Sequence, residues 1–213
     1  MKLRLLYETL KALWHVGLLR MKLNTAWQLI MAWRRCPGSF SFLSEMAALR
    51  FGSVTALIDD EGPMTFFELH QAYEALSHDL VAHFGIRSGS LVVVVERNRR
   101  TFVIALLAAA RSGADVLLVN PDSPPQVMDK LLSLHAIDAV LHGKGVNIGS
   151  YAQTLVRIVL AVRSGTDRAS FCLSALKRAG ELQILTSGST GSAKKINRRP
   201  TLTSLLPTVL GLL

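Results

Sequence analysis

From about residue 40 onward, strand-like and helix-like patterns of hydrophobic and polar residues alternate along the chain. The stretch VTALIDDEGPMTF (54–66) predicts two short strands around an acidic turn at residues 59–62. Thr65 then occupies a helix-capping position with Glu68 three residues later, which predicts that a helix begins there. We expect this helix, FFELHQAYEALSHDLVAHF, to end at Gly85.

The following blocks predict a parallel βαβαβ unit. LVVVV (91–95) is a continuous β-branched run, which is typical of a strand buried on both faces. RRTFVIALLAAARSG (99–113) predicts a buried helix that ends at Gly113, and PPQVMDKLLSLH (124–135) predicts a second helix with prolines at its start. DVLLVN (115–120) and DAVLH (138–142) predict the second and third strands. The expected fold class is therefore α/β, built from parallel βαβ units.

The first 35 residues follow a different pattern, in which polar residues recur at helical spacing opposite an apolar face. Seven basic residues and one acid, Glu8, give this segment a net charge of +6. The same segment contains three tryptophans, Trp14, Trp27 and Trp33. Arg20 and Lys22 interrupt the apolar run, so we predict neither a transmembrane span nor a signal peptide. Two interpretations are open, an amphipathic helix lying in a membrane interface and one packed on the body of the protein.

Charge and composition narrow the class of partner. The 213-residue chain has a net charge of +9, which favours anionic partners such as phosphates, nucleotides, nucleic acids or acidic lipids. The mean hydropathy of +0.33 is high for a free-standing soluble protein. The basic runs RNRR (97–100) and INRRP (196–200) contain no interleaved aromatic residues, so we interpret them as solvated charge and expect no nucleic-acid partner. Cys36 and Cys172 are the only cysteines and indicate neither a disulfide framework nor a zinc site, which fits a reducing cytoplasm.

A first glycine cluster, HGKGVNIGS (142–150), follows a predicted strand. Gly143, Gly145 and Gly149 are arranged in a loose version of the dinucleotide-binding fingerprint. The spacing is one residue too long for the usual form, and the next acid, Asp167, lies 24 residues after Gly143 in an unconvincing context. An ordinary glycine turn is the favoured interpretation. The acidic turn at residues 59–62 is likewise interpreted as a turn and not as a metal site.

A second glycine cluster lies in LQILTSGSTGSAKK (182–195), where a predicted strand leads into a loop of small residues. The residues that could contact a phosphate there are Thr186, Ser187, Gly188, Ser189, Thr190, Gly191 and Lys194. Glycines allow close backbone approach to an anion, amides and hydroxyls donate hydrogen bonds to phosphate oxygens, and a lysine supplies positive charge. The spacing is not that of a Walker A loop. Taken by composition alone, this loop is either a phosphate-binding loop or a flexible surface linker.

LTSGSTGSAKK closely resembles the phosphate-binding signature of the adenylate-forming superfamily, which includes acyl-CoA synthetases, firefly luciferases and the adenylation domains of peptide synthetases. Three upstream segments resemble the family in the same order, namely MTFFELHQAYEALSHDL, GIRSGSLVVVVERN and RSGADVLLVNPDSP. The resemblance covers about residues 40–200. The sequence departs from the family pattern at Ser189, where threonine is commoner, at Ser90, where aspartate is usual, and at Ala193 and Lys195, where proline and glycine are usual.

The resemblance implies a two-step ligase. A carboxylate attacks the α-phosphate of Mg-ATP to give an acyl-adenylate and pyrophosphate, and the thiol of coenzyme A then displaces AMP. In this scheme Thr186, the segment 187–191 and Lys194 hold the β- and γ-phosphates. The resemblance to acyl-CoA synthetases and the basic, apolar N-terminus favour a fatty acid as the carboxylic-acid substrate. They also favour a cytoplasmic protein with peripheral contact to the inner face of a membrane through residues 1–35.

The resemblance also implies a division of the chain. We expect residues 1–38 to form a basic amphipathic helical segment and residues 39–213 to form an incomplete AMP-binding domain that ends just after the phosphate loop. The family motifs for adenine, for ribose and for thioester formation normally follow this loop, so the catalytic residues are expected downstream and the 213 residues alone are expected to be inactive. The alternative is a non-catalytic nucleotide-binding or membrane-associated module.

Overall fold

A computed structural model describes residues 27, 31, 34, 40–150, 156–160, 180–186 and 194–198. The helices are α1 (Phe40–Phe51), α2 (Phe66–Ala82), α3 (Arg100–Ser112) and α4 (Pro125–Ser133). The strands are β1 (Thr55–Asp59), β2 (Gly62–Thr65), β3 (Leu91–Val95), β4 (Asp115–Leu118), β5 (Ala139–His142), β6 (Val156–Val159), β7 (Leu182–Thr186) and β8 (Lys194–Arg198). The predicted N-terminal segment, residues 1–38, lies outside the described residues except for Trp27, Met31 and Arg34, each of which is helical.

The main sheet has the strand order β6-β5-β3-β4-β7-β8. Strand β3 pairs in parallel with both β4 and β5, so that Val92 lies opposite Val116 on one side and Ala139 on the other. Strands β6 and β7 extend the parallel sheet outward, and β8 pairs antiparallel with β7. The predicted α/β class and the parallel βαβαβ unit are confirmed. The predicted hairpin before α2 is confirmed as the antiparallel pair β1 and β2.

The sheet is covered on both faces at β3, which explains why β3 is an unbroken run of apolar residues. Val92 and Val94 pack in one hydrophobic core with residues of α2 and α3, whereas Val93 and Val95 pack in a second core with Met128 of α4. Each of these four valines is at most 1% exposed. Alternate side chains of a strand project to opposite faces, so a strand covered on both sides needs an apolar residue at every position.

The helix boundaries follow the predicted capping residues. Thr65 and Glu68 form a capping box, in which the Glu68 amide donates to Thr65 Oγ1 at 3.2 Å and the Thr65 amide donates to Glu68 Oε2 at 2.8 Å. Helix α3 ends at Gly113, whose left-handed φ of 79° is readily adopted by glycine. Helix α2 ends at Ala82, two residues before Phe84, the last residue of the predicted helix, because the chain turns back there and the Ile86 amide donates to the carbonyl of Leu80.

Three elements were not predicted from the sequence. Helix α1 buries Phe42, Met46 and Ala47, but the serines between its apolar residues resemble those of a loop. Strand β6 is a four-residue edge strand, and Val156 and Val159 are exposed on it. Strand β8 has the basic sequence KKINR and forms through backbone pairing with β7, which a hydrophobic pattern does not reveal.

An ion pair joins the β1–β2 hairpin to the start of α3. The Arg100 side chain donates to both carboxylate oxygens of Asp59, at 2.8 and 3.0 Å, and to the carbonyl of Gly62 at 2.7 Å. The Arg100 amide also donates to Asp59 Oδ2 at 2.9 Å, so Asp59 caps α3, whose own capping residue, Arg99, makes no side-chain cap. Hydrogen bonds from the Arg100 side chain, and then from its amide, hold the pKa of Asp59 far below its usual value.

Replacing Asp59 by asparagine tests this pair. We expect Asp59→Asn to lower the urea midpoint of unfolding at pH 7, because it removes the charge that Arg100 contacts at 9% side-chain exposure. The pKa of Asp59 is lower in the folded chain than the value of about 4 expected when unfolded, so its stabilisation is fully present above pH 4 and is lost as the pH falls further. The difference between the two proteins should therefore narrow at pH 3.

Asp60→Asn is the matched control, since Asp60 contacts Arg99 from an 83% exposed position. An exposed pair of this kind contributes little to stability, so the control should unfold close to the unaltered protein. An equal loss of stability in the two variants would contradict the special role of Asp59.

Candidate functional site

The carboxyl ends of four parallel strands lie side by side along one edge of the sheet, in the order β5, β3, β4, β7. The chain passes from β3 to β4 on one side and returns to β5 on the other, which makes the gap between β3 and β5 a topological switch point. In open α/β sheets, ligands bind outside the carboxyl ends of the strands at such a point. We refer to this part of the molecule as the carboxyl edge.

At the switch point, the side chain of Glu96 lies against Gly143. Glu96 directly follows β3, Gly143 directly follows β5, and the Gly143 amide donates to the carbonyl of Val95 at 3.2 Å. A Cβ atom on residue 143 would overlap the Glu96 carboxylate, so any larger residue here requires that side chain to move. Glu96 Oε1 also accepts a hydrogen bond from the Arg97 amide at 2.7 Å.

Ion pairs connect the turn after β3 to its neighbours. Arg97 Nη2 donates to Asp122 Oδ1 at 2.7 Å, which links this turn to the turn between β4 and α4. Arg99 lies 3.3 Å from Asp60 and links the same turn to the β1–β2 hairpin. Asn120 Oδ1 accepts from the Asp122 amide at 3.0 Å and fixes the position of Asp122. The carboxyl edge is thus held together by charged and polar contacts as well as by the sheet.

The predicted phosphate loop connects β7 and β8. Thr186 is the last residue of β7, Lys194 is the first residue of β8, and the two are partners in the antiparallel register. The remaining predicted contacts, Ser187, Gly188, Ser189, Thr190 and Gly191, lie outside the described residues. The structure therefore brings the backbones of the two ends of the loop together at the carboxyl edge. Lys194 belongs to a strand, whereas the sequence placed it in the loop.

The first glycine cluster forms turns, as favoured from the sequence. The Val146 amide donates to the carbonyl of Gly143 at 3.2 Å, and Gly145 has a left-handed φ of 79°. Gly149 packs against Asp129 of α4, where a Cβ atom would lie 2.3 Å from Asp129 Oδ1. A dinucleotide fingerprint needs a helix that opens at its glycines, and residues 143–150 begin none. Asp167 lies outside the described residues.

The structural role of the charged run after β3 was not predicted from the sequence. RNRR (97–100) was interpreted as solvated charge, and this is wrong for Arg100, which is 8% exposed and contacts Asp59. The signal that could have revealed it is the position of the run, directly after a buried parallel strand, where binding residues gather. Within the described ranges, no three histidine, cysteine or acidic residues are grouped so that they could hold a metal ion. Those ranges also contain no helix of the length and apolarity that a membrane span requires.

Comparison with known proteins gives one family. The model of the family described as AMP-binding enzyme matches residues 44–198. Tyrocidine synthase 3 from Brevibacillus parabrevis is 28% identical over 162 residues, which cover 73% of this chain and 2% of the synthase. A long-chain-fatty-acid–CoA ligase from Salmonella typhimurium is 26% identical over 117 residues, which cover 55% of this chain and 20% of the ligase.

Solved structures agree on the fold. The N-terminal subdomain of Klebsiella oxytoca NpsA, in complex with 3-hydroxyanthranilyl-AMSN, superimposes with a TM-score of 0.60 and 22% identity over 75% of this chain. The superposition covers 40% of the NpsA chain. The parallel sheet described above is therefore that of the N-terminal subdomain of adenylate-forming enzymes. The chain spans less than half of that solved protein and a fifth or less of the two curated relatives.

A double substitution tests the contact at the switch point. Gly143→Ala should lower the free energy of unfolding by about 1 kcal/mol, because its Cβ forces the flexible Glu96 side chain out of its present rotamer. Introduced together with Glu96→Ala, the same change should cost clearly less, since the clashing atoms are gone. Urea unfolding of the four proteins measures the coupling. An identical cost in both backgrounds would show that Glu96 does not lie against Gly143.

Proposed function

Because the chain belongs to the family of AMP-binding, adenylate-forming enzymes, we propose that it takes part in the activation of a carboxylic acid by ATP. The observation that carries this proposal is the pairing of Thr186 with Lys194, which brings the two ends of the glycine- and hydroxyl-rich segment 187–193 together at the carboxyl edge. The family match extends through residue 198 and so includes both β7 and β8.

In the proposed reaction a carboxylate oxygen attacks the α-phosphorus of ATP, and the bond between the α-phosphorus and the bridging oxygen breaks. Pyrophosphate leaves with that oxygen and its electron pair, and the acyl-adenylate remains. Backbone amides of residues 187–191 and the ammonium group of Lys194 would stabilise the charge that develops on the leaving pyrophosphate. Magnesium is bound largely through substrate phosphates and water, and the hydroxyl oxygens of Thr186 and its neighbours are ligands that it accepts.

We further propose that the acid is a fatty acid and that coenzyme A is the thiol acceptor. The chain is similar to a nonribosomal peptide synthetase and, at nearly the same identity, to a long-chain-fatty-acid–CoA ligase. The relatives alone therefore do not distinguish an amino acid from a fatty acid as the substrate. The N-terminal segment favours the fatty acid, because a net charge of +6 with three tryptophans suits a helix that lies at a lipid surface, where fatty acids partition.

Three described residues of the N-terminal segment support a membrane contact. Trp27, Met31 and Arg34 are each helical. Trp27 is 62% exposed and Arg34 is exposed, whereas Met31 is partly buried. Exposed tryptophan and arginine side chains are typical of a helix at the membrane–water interface. We propose that residues 1–35 bind the surface of an anionic membrane.

Lys194→Ala tests the phosphate loop. In the full-length gene product, we expect acid-dependent ATP–pyrophosphate exchange to fall about 10- to 100-fold, because a charge-assisted hydrogen bond to phosphate contributes about 1.5–3 kcal/mol. The urea midpoint should stay unchanged. Lys195→Ala is the matched control, since it removes the same charge from the next residue of β8 and should leave the exchange rate close to that of the unaltered protein. Gly188→Val, which adds a bulky side chain to the proposed loop, should lower the exchange rate as well. Equal rates of ATP–pyrophosphate exchange in the unaltered protein and all three variants would indicate a flexible linker instead of a phosphate loop.

Truncation tests the membrane contact. The chain and a variant that starts at Ser39 are mixed with liposomes that contain 30% phosphatidylserine, and flotation is measured at low and high salt. We expect the longer chain to float with the liposomes at low salt and the truncated one to remain in solution, because the basic and tryptophan-rich segment is gone. Equal flotation of the two proteins would contradict the proposal.

A further inference from the structure

The turn after β3, residues 96–100, is held in place by contacts with three neighbours. Arg97 pairs with Asp122 on the β4 side at 2.7 Å, and Glu96 lies over Gly143 on the β5 side. Arg99 and Arg100 pair with Asp60 and Asp59 of the β1–β2 hairpin. Each charged residue of the turn thus has a partner on a different part of the carboxyl edge or on the hairpin beside it. The pair of Arg100 with Asp59 is buried and fixes the end of the turn without a ligand, whereas the pairs of Arg97 and Arg99 are exposed and contribute less.

Asn98 is the exception in this turn. Its side chain is exposed and makes no hydrogen bond to any described residue. A carboxamide offers two donor hydrogens and one acceptor oxygen, so Asn98 presents hydrogen-bonding capacity two residues before the buried Arg100, which anchors the turn to Asp59. Other asparagines of this edge already serve their own turns, since Asn120 accepts from the Asp122 amide and Asn147 from the Gly149 amide.

The strand order puts Asn98 within reach of a ligand held by the phosphate loop. Strands β3 and β7 are separated only by β4, so their carboxyl ends lie about 10 Å apart, two strand spacings. On the far side of β7 the described part of the chain contributes only the strand β8. A ligand whose phosphates lie at the end of β7 and which extends along the carboxyl edge therefore passes the ends of β4 and β3, where the turn with Asn98 lies.

We propose that the Asn98 carboxamide hydrogen-bonds an oxygen of the acyl-adenylate, on the side of the α-phosphate away from the pyrophosphate. This inference rests on the proposed function, and it makes Asn98 a ligand-binding residue outside the phosphate loop. The oxygen is either a ribose hydroxyl or the acyl carbonyl, which share the ability to accept from an amide N–H. The ion pairs of Arg97 and Arg100 then act as positioning contacts, because they fix the backbone that carries Asn98.

The test measures the affinity of the full-length gene product for the decanoyl sulfamate of adenosine, a non-hydrolysable acyl-adenylate mimic, by calorimetry. Asn98→Ala should weaken binding about 3- to 10-fold, the usual effect of losing one hydrogen bond. Asn98→Asp should weaken it further, because it adds a negative charge next to a phosphate-like group. Gln71→Ala, an exposed carboxamide on α2, is the matched control and should bind as the unaltered protein does. Urea midpoints of all four proteins should agree.

A second titration with AMP identifies the oxygen. A weaker affinity of Asn98→Ala for AMP places the contact on the ribose, and a loss confined to the sulfamate places it on the acyl group; either result supports the inference. Unchanged affinity of Asn98→Ala for both ligands would overturn the inference and leave the proposed function standing. Failure of the unaltered protein to bind either ligand would overturn the proposed function as well.

Discussion

The parallel pairing of β3 with β4 on one side and with β5 on the other is the constraint on which the carboxyl edge depends. It aligns the ends of three strands that are 20 or more residues apart in sequence, and β4 in turn pairs with β7, whose last residue is Thr186. Backbone hydrogen bonds fix this register, and burial of both faces of β3 makes a one-residue shift costly. Everything that could bind a nucleotide in the described part of the chain follows from that alignment.

Charged contacts position the start of α3 and the turn that precedes it. Asp59 reaches from the β1–β2 hairpin to cap α3 and to pair with Arg100, so an element outside the main sheet sets the start of the helix after β3. Removing two charges from water is expensive and such a pair seldom adds much net stability. The pair instead positions the turn after β3, because it joins residue 100 to the β1–β2 hairpin. Burial makes that placement sensitive to the loss of either partner.

The sequence predicted those parts of the fold whose signals are local. The β-branched run of β3, the capping box at Thr65 and the glycine that ends α3 each depend on neighbouring residues, and each was confirmed. Strand β8 and the pairing of Asp59 with Arg100 depend on partners distant in sequence, so the hydrophobic periodicity did not predict them. For the same reason Arg100 was interpreted as solvated charge. The proposed phosphate loop was predicted from a resemblance to a family, and the structure pairs the backbones of its two ends, Thr186 and Lys194.

We propose above all that the segment between β7 and β8 binds the phosphates of ATP. Hydrogen exchange of the full-length gene product, measured by mass spectrometry on peptides that cover residues 186–194, tests it most directly. Backbone amides that donate to phosphate oxygens exchange more slowly, so saturating Mg-ATP should slow exchange in these peptides, whereas adenosine without phosphates should not. Slower exchange elsewhere on the protein with no change in residues 186–194 would contradict the account.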